Sequence, residues 1–69
     1  MSKFQIRLKE LRIEKKLSQK QIAQQLGYAQ STYCDWENGK IEPTASALIA
    51  IADYFGVCVD YLLGRQDWY

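Results

Sequence analysis

The 69-residue sequence contains no histidine, one proline, four glycines and two cysteines. Without histidine, the usual neutral-pH general base and the commonest metal ligand are both missing. The two cysteines, Cys34 and Cys58, fall in different predicted elements, so a structural zinc site is not expected and no cofactor is implied. In a reducing compartment they are read as free thiols rather than a disulfide. No apolar run approaches the ~18 residues a membrane helix needs, and the opening MSKFQIRLKE is too charged for a secretory leader. The expectation is a cytoplasmic protein with no membrane association. No nucleophile–base pair stands out, and a chain this small offers no deep pocket, so an enzyme is not expected.

What is present is one domain's worth of hydrophobic residues, 48% of the chain. A chain of this size buries only about 60% of its extended-state surface, which suits a compact helical fold. The net charge of +1 conceals a gradient. Residues 1–40 carry eight basic and four acidic groups; residues 41–69 carry one basic and four acidic. The basic part is either an ordinary lysine-rich surface or a face turned toward phosphates.

Residues 18–38, SQKQIAQQLGYAQSTYCDWEN, organise the rest. Ser18 and Gln21 form a Ser-x-x-Gln capping box at the start of a helix over Gln19 to Leu26. Ile22, Ala23 and Leu26 give it one apolar face. Gly27 follows at once and can take the left-handed conformation that ends a helix. A second helix is predicted over Gln30 to Asn38. Neither is long enough to persist alone in water, so both must dock on their neighbours.

The flanking elements read as helices too. Phe4, Leu8 and Leu11 recur at i, i+4 and i+7, which predicts a helix over residues 4–16 with Leu17 closing over the core. Ile6 and Ile13 fall on its opposite side. They are either isolated exposed apolar residues, which are common, or a contact for a partner. Thr44 is a good N-cap for a fourth helix, Ala45 to Phe55, that buries Leu48, Ile51, Ala52 and Phe55. Gly56 ends it. A short fifth helix is predicted over Val57 to Leu63, stopped by Gly64, with residues 65–69 as a tail. No strand pattern or internal repeat is present, and the fold class is all-α.

The helix over Gln30 to Asn38 has two unlike faces. Tyr33 and Trp36, at i and i+3, point inward with Ala29 just ahead. Gln30, Ser31, Cys34, Asp35 and Asn38 lie outward. An idle helix surface is usually filled with long Lys and Glu side chains; short hydrogen-bonding groups lean toward contact work, such as reading base edges.

With these residues in view, the chain resembles the Cro/C1-type helix-turn-helix domain of phage and bacterial regulators. The matching pieces are LKELRIEKKLSQKQIAQQLG, QSTYCDWENGKIEPT and ALIAIADYFGVCVDYLLG, which cover about residues 4–64. The resemblance implies a compact five-helix, lambda-repressor-like domain spanning residues 1–69, with the helix-turn-helix core at 18–38. It implies a sequence-specific ligand of double-stranded DNA, a repressor acting as a homodimer on two half-sites. Gln30, Ser31, Thr32 and Asp35 would read bases; Gln19, Lys20, Asn38 and Lys40 would touch the backbone. Arg12 and Glu37 match an interior ion pair tying the first helix to the third. Pro43, Val59 and Tyr61 would contribute to the dimer seam. A rival on the same fold is an antitoxin-like or regulatory module that binds another protein, using Ile6, Ile13 and the aromatic pair Trp68 and Tyr69.

Two positions depart from the pattern. Ala29 stands where relatives often place a Ser or Thr cap, which costs the third helix about 1 kcal/mol and leaves its start loose until DNA orders it. Cys58 stands where a Ser or Thr often opens the fifth helix, and a thiol caps poorly. Cys34 is plainly read as small filler; the alternative is a thiol whose alkylation or oxidation blocks docking on DNA.

Overall fold

The structure, a computed structural model, describes residues 2–69 and contains five helices: α1 (Ser2–Glu14), α2 (Gln19–Leu26), α3 (Gln30–Asn38), α4 (Ala45–Phe55) and α5 (Val59–Leu62). None of them is long and apolar enough to cross a membrane. Packing pairs α2 with α3, α1 with α3, α4 with α5, α1 with α5 and α2 with α4. The core gathers one stripe from each helix: Phe4, Leu8 and Leu11; Ile22 and Ala23; Tyr33 and Trp36; Ala47, Ile51 and Ala52; and Leu62. Leu17, Leu48 and Phe55 pack against it while remaining half-buried, and Ala47, absent from the predicted stripe, is wholly buried.

The ends of α2, α3 and α4 sit where sequence places them, because the signals are local. Ser18 Oγ accepts from the Gln21 N–H (3.0 Å), and Gln21 Oε1 accepts from the Ser18 N–H (2.8 Å). Thr44 caps the Ala47 N–H at 3.1 Å. Gly27 closes α2 at φ +82, its N–H returned to Ala23 and Gln24. A Cβ there would meet nothing within 4 Å, so backbone conformation alone calls for glycine.

The first and last helices differ from expectation. α1 spans Ser2–Glu14 instead of 4–16. Its end is a reversal without glycine: Lys16 takes φ +58 while the Leu17 N–H reaches back to the Arg12 carbonyl at 3.2 Å. That turn drops Leu17 onto the core and leaves Ser18 free to cap α2. The fifth helix is a single turn. Val57 belongs to the close of α4, its N–H donating to Ala52 at 3.0 Å, and Cys58 is extended with no side-chain cap.

The tail folds back on the body. The Arg7 guanidinium on α1 donates to the carbonyls of Tyr61 and Gln66 and meets Asp67 at 3.2 Å. It also lies 4.2 Å over the Tyr61 ring, whose other neighbour is the edge of Tyr69, 4.9 Å between centroids. The Tyr69 carbonyl accepts from the Cys58 N–H at 3.3 Å, which ties the end of the tail to the start of α5.

Candidate nucleic-acid interface

The outward face of α3 depends on what anchors its back. Tyr33 is fully buried and Trp36 nearly so. Their rings meet edge to face at 5.9 Å, and Tyr28, from the turn, packs edge-on to Trp36 at 4.9 Å. Such pairs add about 0.5–1.5 kcal/mol each beyond the area they bury. They fix the rotation of a helix only nine residues long.

A polar tie sets its tilt. Arg12 on α1 grips Glu37 on α3 with two donors, Nε to Oε2 at 2.7 Å and Nη2 to Oε1 at 3.2 Å. The same guanidinium donates to the Leu17 carbonyl at 2.9 Å, so one side chain joins α1, the following turn and α3. The Glu37 side chain is only 3% exposed. Burial pushes its carboxyl up, but the combined hydrogen bonds from Arg12, Tyr33 and Gln19 outweigh that and hold it below the usual carboxylate range. The bond to Glu37 in turn raises Arg12, and burial together with Glu37 raises the Tyr33 hydroxyl, so the cluster is one cation, one anion and a neutral phenol.

At about 100° per residue, the direction opposite Tyr33, Trp36 and Glu37 is occupied by Ser31, Asp35 and Asn38, with Gln30 and Cys34 on one flank. Gln30, Ser31 and Asn38 are exposed; Cys34 and Asp35 are half-buried. Thr32 is half-buried and lies on the other flank, nearer Trp36 than the outward face. The helix starts without a side-chain cap at Ala29, as its residue type requires, and ends at Gly39 with φ +75.

Around this face, Lys20 and Lys40 are exposed and carry no ion pair among the described residues. Gln19, the first residue of α2, is half-buried and engaged on both sides: Nε2 donates to Glu37 Oε1 at 3.1 Å, and Oε1 accepts from the Cys34 thiol at 3.0 Å. The first N–H groups of α2 have no partner within the helix, apart from the one Ser18 takes, and so remain for an anion. Two of the eight basic residues in the first forty are committed internally, Arg7 to the tail and Arg12 to Glu37. Pro43, Val59 and Tyr61 are each half-buried, Tyr61 already packed by Arg7 and Tyr69.

Sequence reasoning placed Arg12 with Glu37 only through resemblance, and it missed Tyr33, Gln19 and Cys34 as members of that cluster. The Tyr33 contact was findable, since Tyr33 and Glu37 stand at i and i+4. The Gln19–Cys34 contact joins two helices and leaves no local trace. Among the described residues no group of three or more acidic, cysteine or histidine side chains is placed to hold a metal ion.

A family model described as helix-turn-helix matches residues 8–62. The chain is 45% identical over 60 residues to the HTH-type transcriptional regulator AnsR of Bacillus subtilis, covering 87% of this chain and 52% of that protein. It is 36% identical over 64 residues to the HTH-type transcriptional activator BcrR of Enterococcus faecalis, covering 93% and 31%. It is 33% identical over 60 residues to the immunity repressor protein of Bacillus phage phi105, covering 87% and 42%. The chain thus spans about half the length, or less, of these curated relatives. The match and the geometry coincide on the same five helices, and the chain belongs to the helix-turn-helix family, of the Cro/C1 type.

Proposed function

We propose that this domain binds double-stranded DNA sequence-specifically, with α3 in the major groove, and regulates transcription as a repressor that acts by occupying its site. The observation that supports it best is the division of α3: two buried aromatic rings and the largely enclosed Arg12–Glu37 ion pair behind, a short polar face in front. Gln30, Ser31 and Asp35 face the bases, and Thr32 reaches them from the flank. Gln30 is suited to adenine through N6 and N7, and Asp35 to cytosine N4. A carboxylate near phosphates is otherwise repelled, so Asp35 sharpens discrimination more than it strengthens binding. Lys20, Lys40, Asn38 and Gln19 set position on the backbone. The names of relatives point to transcriptional control in both directions, an activator and repressors among them.

One such domain makes few base contacts. We propose a homodimer on half-sites about 34 Å apart. Pro43 and Val59 supply its seam, with Tyr61 meeting the partner together with the Tyr69 that covers it. The domain would act in the cytoplasm, on the nucleoid.

Selection of bound duplexes from a random pool tests the reading: an enriched, two-fold symmetric sequence is expected, and an unenriched pool would overturn it. On the selected duplex, Gln30→Ala should weaken binding by about 1–3 kcal/mol and leave random duplex nearly unaffected. Lys40→Ala should weaken both and lower the salt slope by about one unit. Equal loss on both duplexes for Gln30→Ala would remove it from the base readers.

A second reading has an observation of its own. Ile6 and Ile13 are 58% and 54% exposed on the outer side of α1, and Trp68 is 70% exposed. A protein partner covering these residues would make the domain an interaction module. Light scattering with and without random duplex separates a DNA-dependent mass from a DNA-independent one.

A further inference from the structure

Gln19 sits where a phosphate would approach the start of α2, yet a glutamine amide is a poor fixed point. Its long side chain turns freely, and its two ends differ only in whether they donate or accept. Here the ends are told apart by chemistry. Glu37 is an anion already gripped by Arg12 and can only accept, so Gln19 must turn Nε2 toward it, at 3.1 Å. That places Oε1 on the opposite side, against α3, where the Cys34 thiol meets it at 3.0 Å. One anchor would let the amide swing about the bond to Glu37. Two anchors on different atoms fix its plane.

We propose that Cys34 is a positioning residue for DNA binding: its thiol donates to Gln19 Oε1 and, with Glu37, holds the Gln19 amide so that its one uncommitted N–H is presented to a phosphate. The inference rests on the DNA-binding reading above and extends it to a residue that touches no nucleic acid. It also separates Cys34 from the neighbours on its face. Gln30 and Ser31 are open to solvent, whereas Cys34 is half-buried and turned sideways toward α2. The role needs a small side chain with one donor hydrogen. Serine meets that requirement and alanine or valine does not.

Because Gln19 carries no charge, its contact releases no extra counterion. Loss of its orientation should therefore lower affinity without changing the salt slope, unlike loss of a lysine contact. The experiment is a double-mutant cycle with Cys34→Ala, Gln19→Ala and the pair, plus Cys34→Ser, read by fluorescence anisotropy on a duplex that the wild-type protein has selected. A net hydrogen bond of ordinary strength corresponds to roughly a 2- to 12-fold effect, and a thiol donor belongs at the low end. Cys34→Ala should lose about threefold and Gln19→Ala about tenfold. The double variant should be no weaker than Gln19→Ala, and Cys34→Ser should bind within about twofold of wild type, because the hydroxyl restores a donor to Gln19 Oε1. A readout without DNA accompanies it: in the free protein, the Gln19 side-chain amide resonances should broaden or shift toward mobile values in Cys34→Ala and keep their positions in Cys34→Ser.

Losses that multiply in the double variant, or a serine variant as weak as the alanine one, would overturn the positioning role while leaving the Gln19 contact standing. A Gln19→Ala variant that binds like wild type would overturn the contact itself. Failure of the wild-type protein to select any duplex would overturn the DNA-binding reading beneath both.

Discussion

Glu37 is the residue on which the presentation of α3 depends most directly, because three donors from three different segments converge on one buried carboxylate. Removing its cation strands the charge. Arg12→Met should cost about 3–5 kcal/mol, near the lower bound since Tyr33 and Gln19 still donate. For a domain of this size that is most of the stability available, and thermal melting should show it. Arg12→Met with Glu37→Leu should be more stable than Arg12→Met alone, because the stranded charge is gone. The pH dependence has a definite sign. The Glu37 carboxyl titrates lower in the folded chain than its ordinary 4.5, so its contribution is complete above that pH and is lost as pH falls through the folded value. Melting temperature should therefore decline below about pH 4.5, and Glu37→Gln should flatten that decline. An acid limb unchanged in Glu37→Gln would assign the loss to other carboxylates.

Among the elements, α3 begins without a side-chain cap and ends on a left-handed glycine, Gly39. Ala29 has extended backbone, φ −64 and ψ 146, the conformation of an N-cap without the oxygen. Ala29→Ser should stabilise the domain by about 1 kcal/mol, seen as a higher urea midpoint with unchanged slope. It should also slow amide exchange at the first turn of α3. If that start is ordered only on DNA, serine should tighten binding by part of the same amount; a stabilised protein with unaltered affinity would show that the start is already ordered. The elements also show why sequence reading succeeded where it did. Ser18, Gln21, Gly27, Thr44 and Gly56 act within four residues of themselves, and the helices they delimit were legible to the residue. The end of α1 was not, because Lys16 occupies a left-handed position for which its residue type gives no warning. It is held there by Leu17, which packs against the core, and by Arg12, which bonds the Leu17 carbonyl and a partner 25 residues on. Val57 misled for the opposite reason: a hydrophobic residue after glycine looks like the first of a new helix, but it closes the old one.

For the molecule as a whole, contacts between distant segments were the part that sequence concealed. Arg7 counts as one more basic group in the linear charge pattern, yet its donors are engaged by residues 54 to 60 positions away. The tail that it holds gave no sequence signal, since Gln66 and Asp67 are ordinary surface residues until Arg7 is beside them. The outward face of α3 was legible from composition, being short and polar where bulk would be expected. The bond between Gln19 and Cys34 was not, because neither residue type announces the other across a turn. The two indoles also differ in a way that makes the molecule report on itself. Trp36 is 2% exposed between Tyr28 and Tyr33, while Trp68 is 70% exposed. Emission from the first should therefore be blue-shifted and shielded from iodide, and emission from the second should not; iodide quenching of the Trp68→Phe protein checks it. With Trp68 replaced by phenylalanine, the remaining fluorophore becomes an optical gauge set into the back of α3, and a change in its emission on adding duplex would report rocking of that helix.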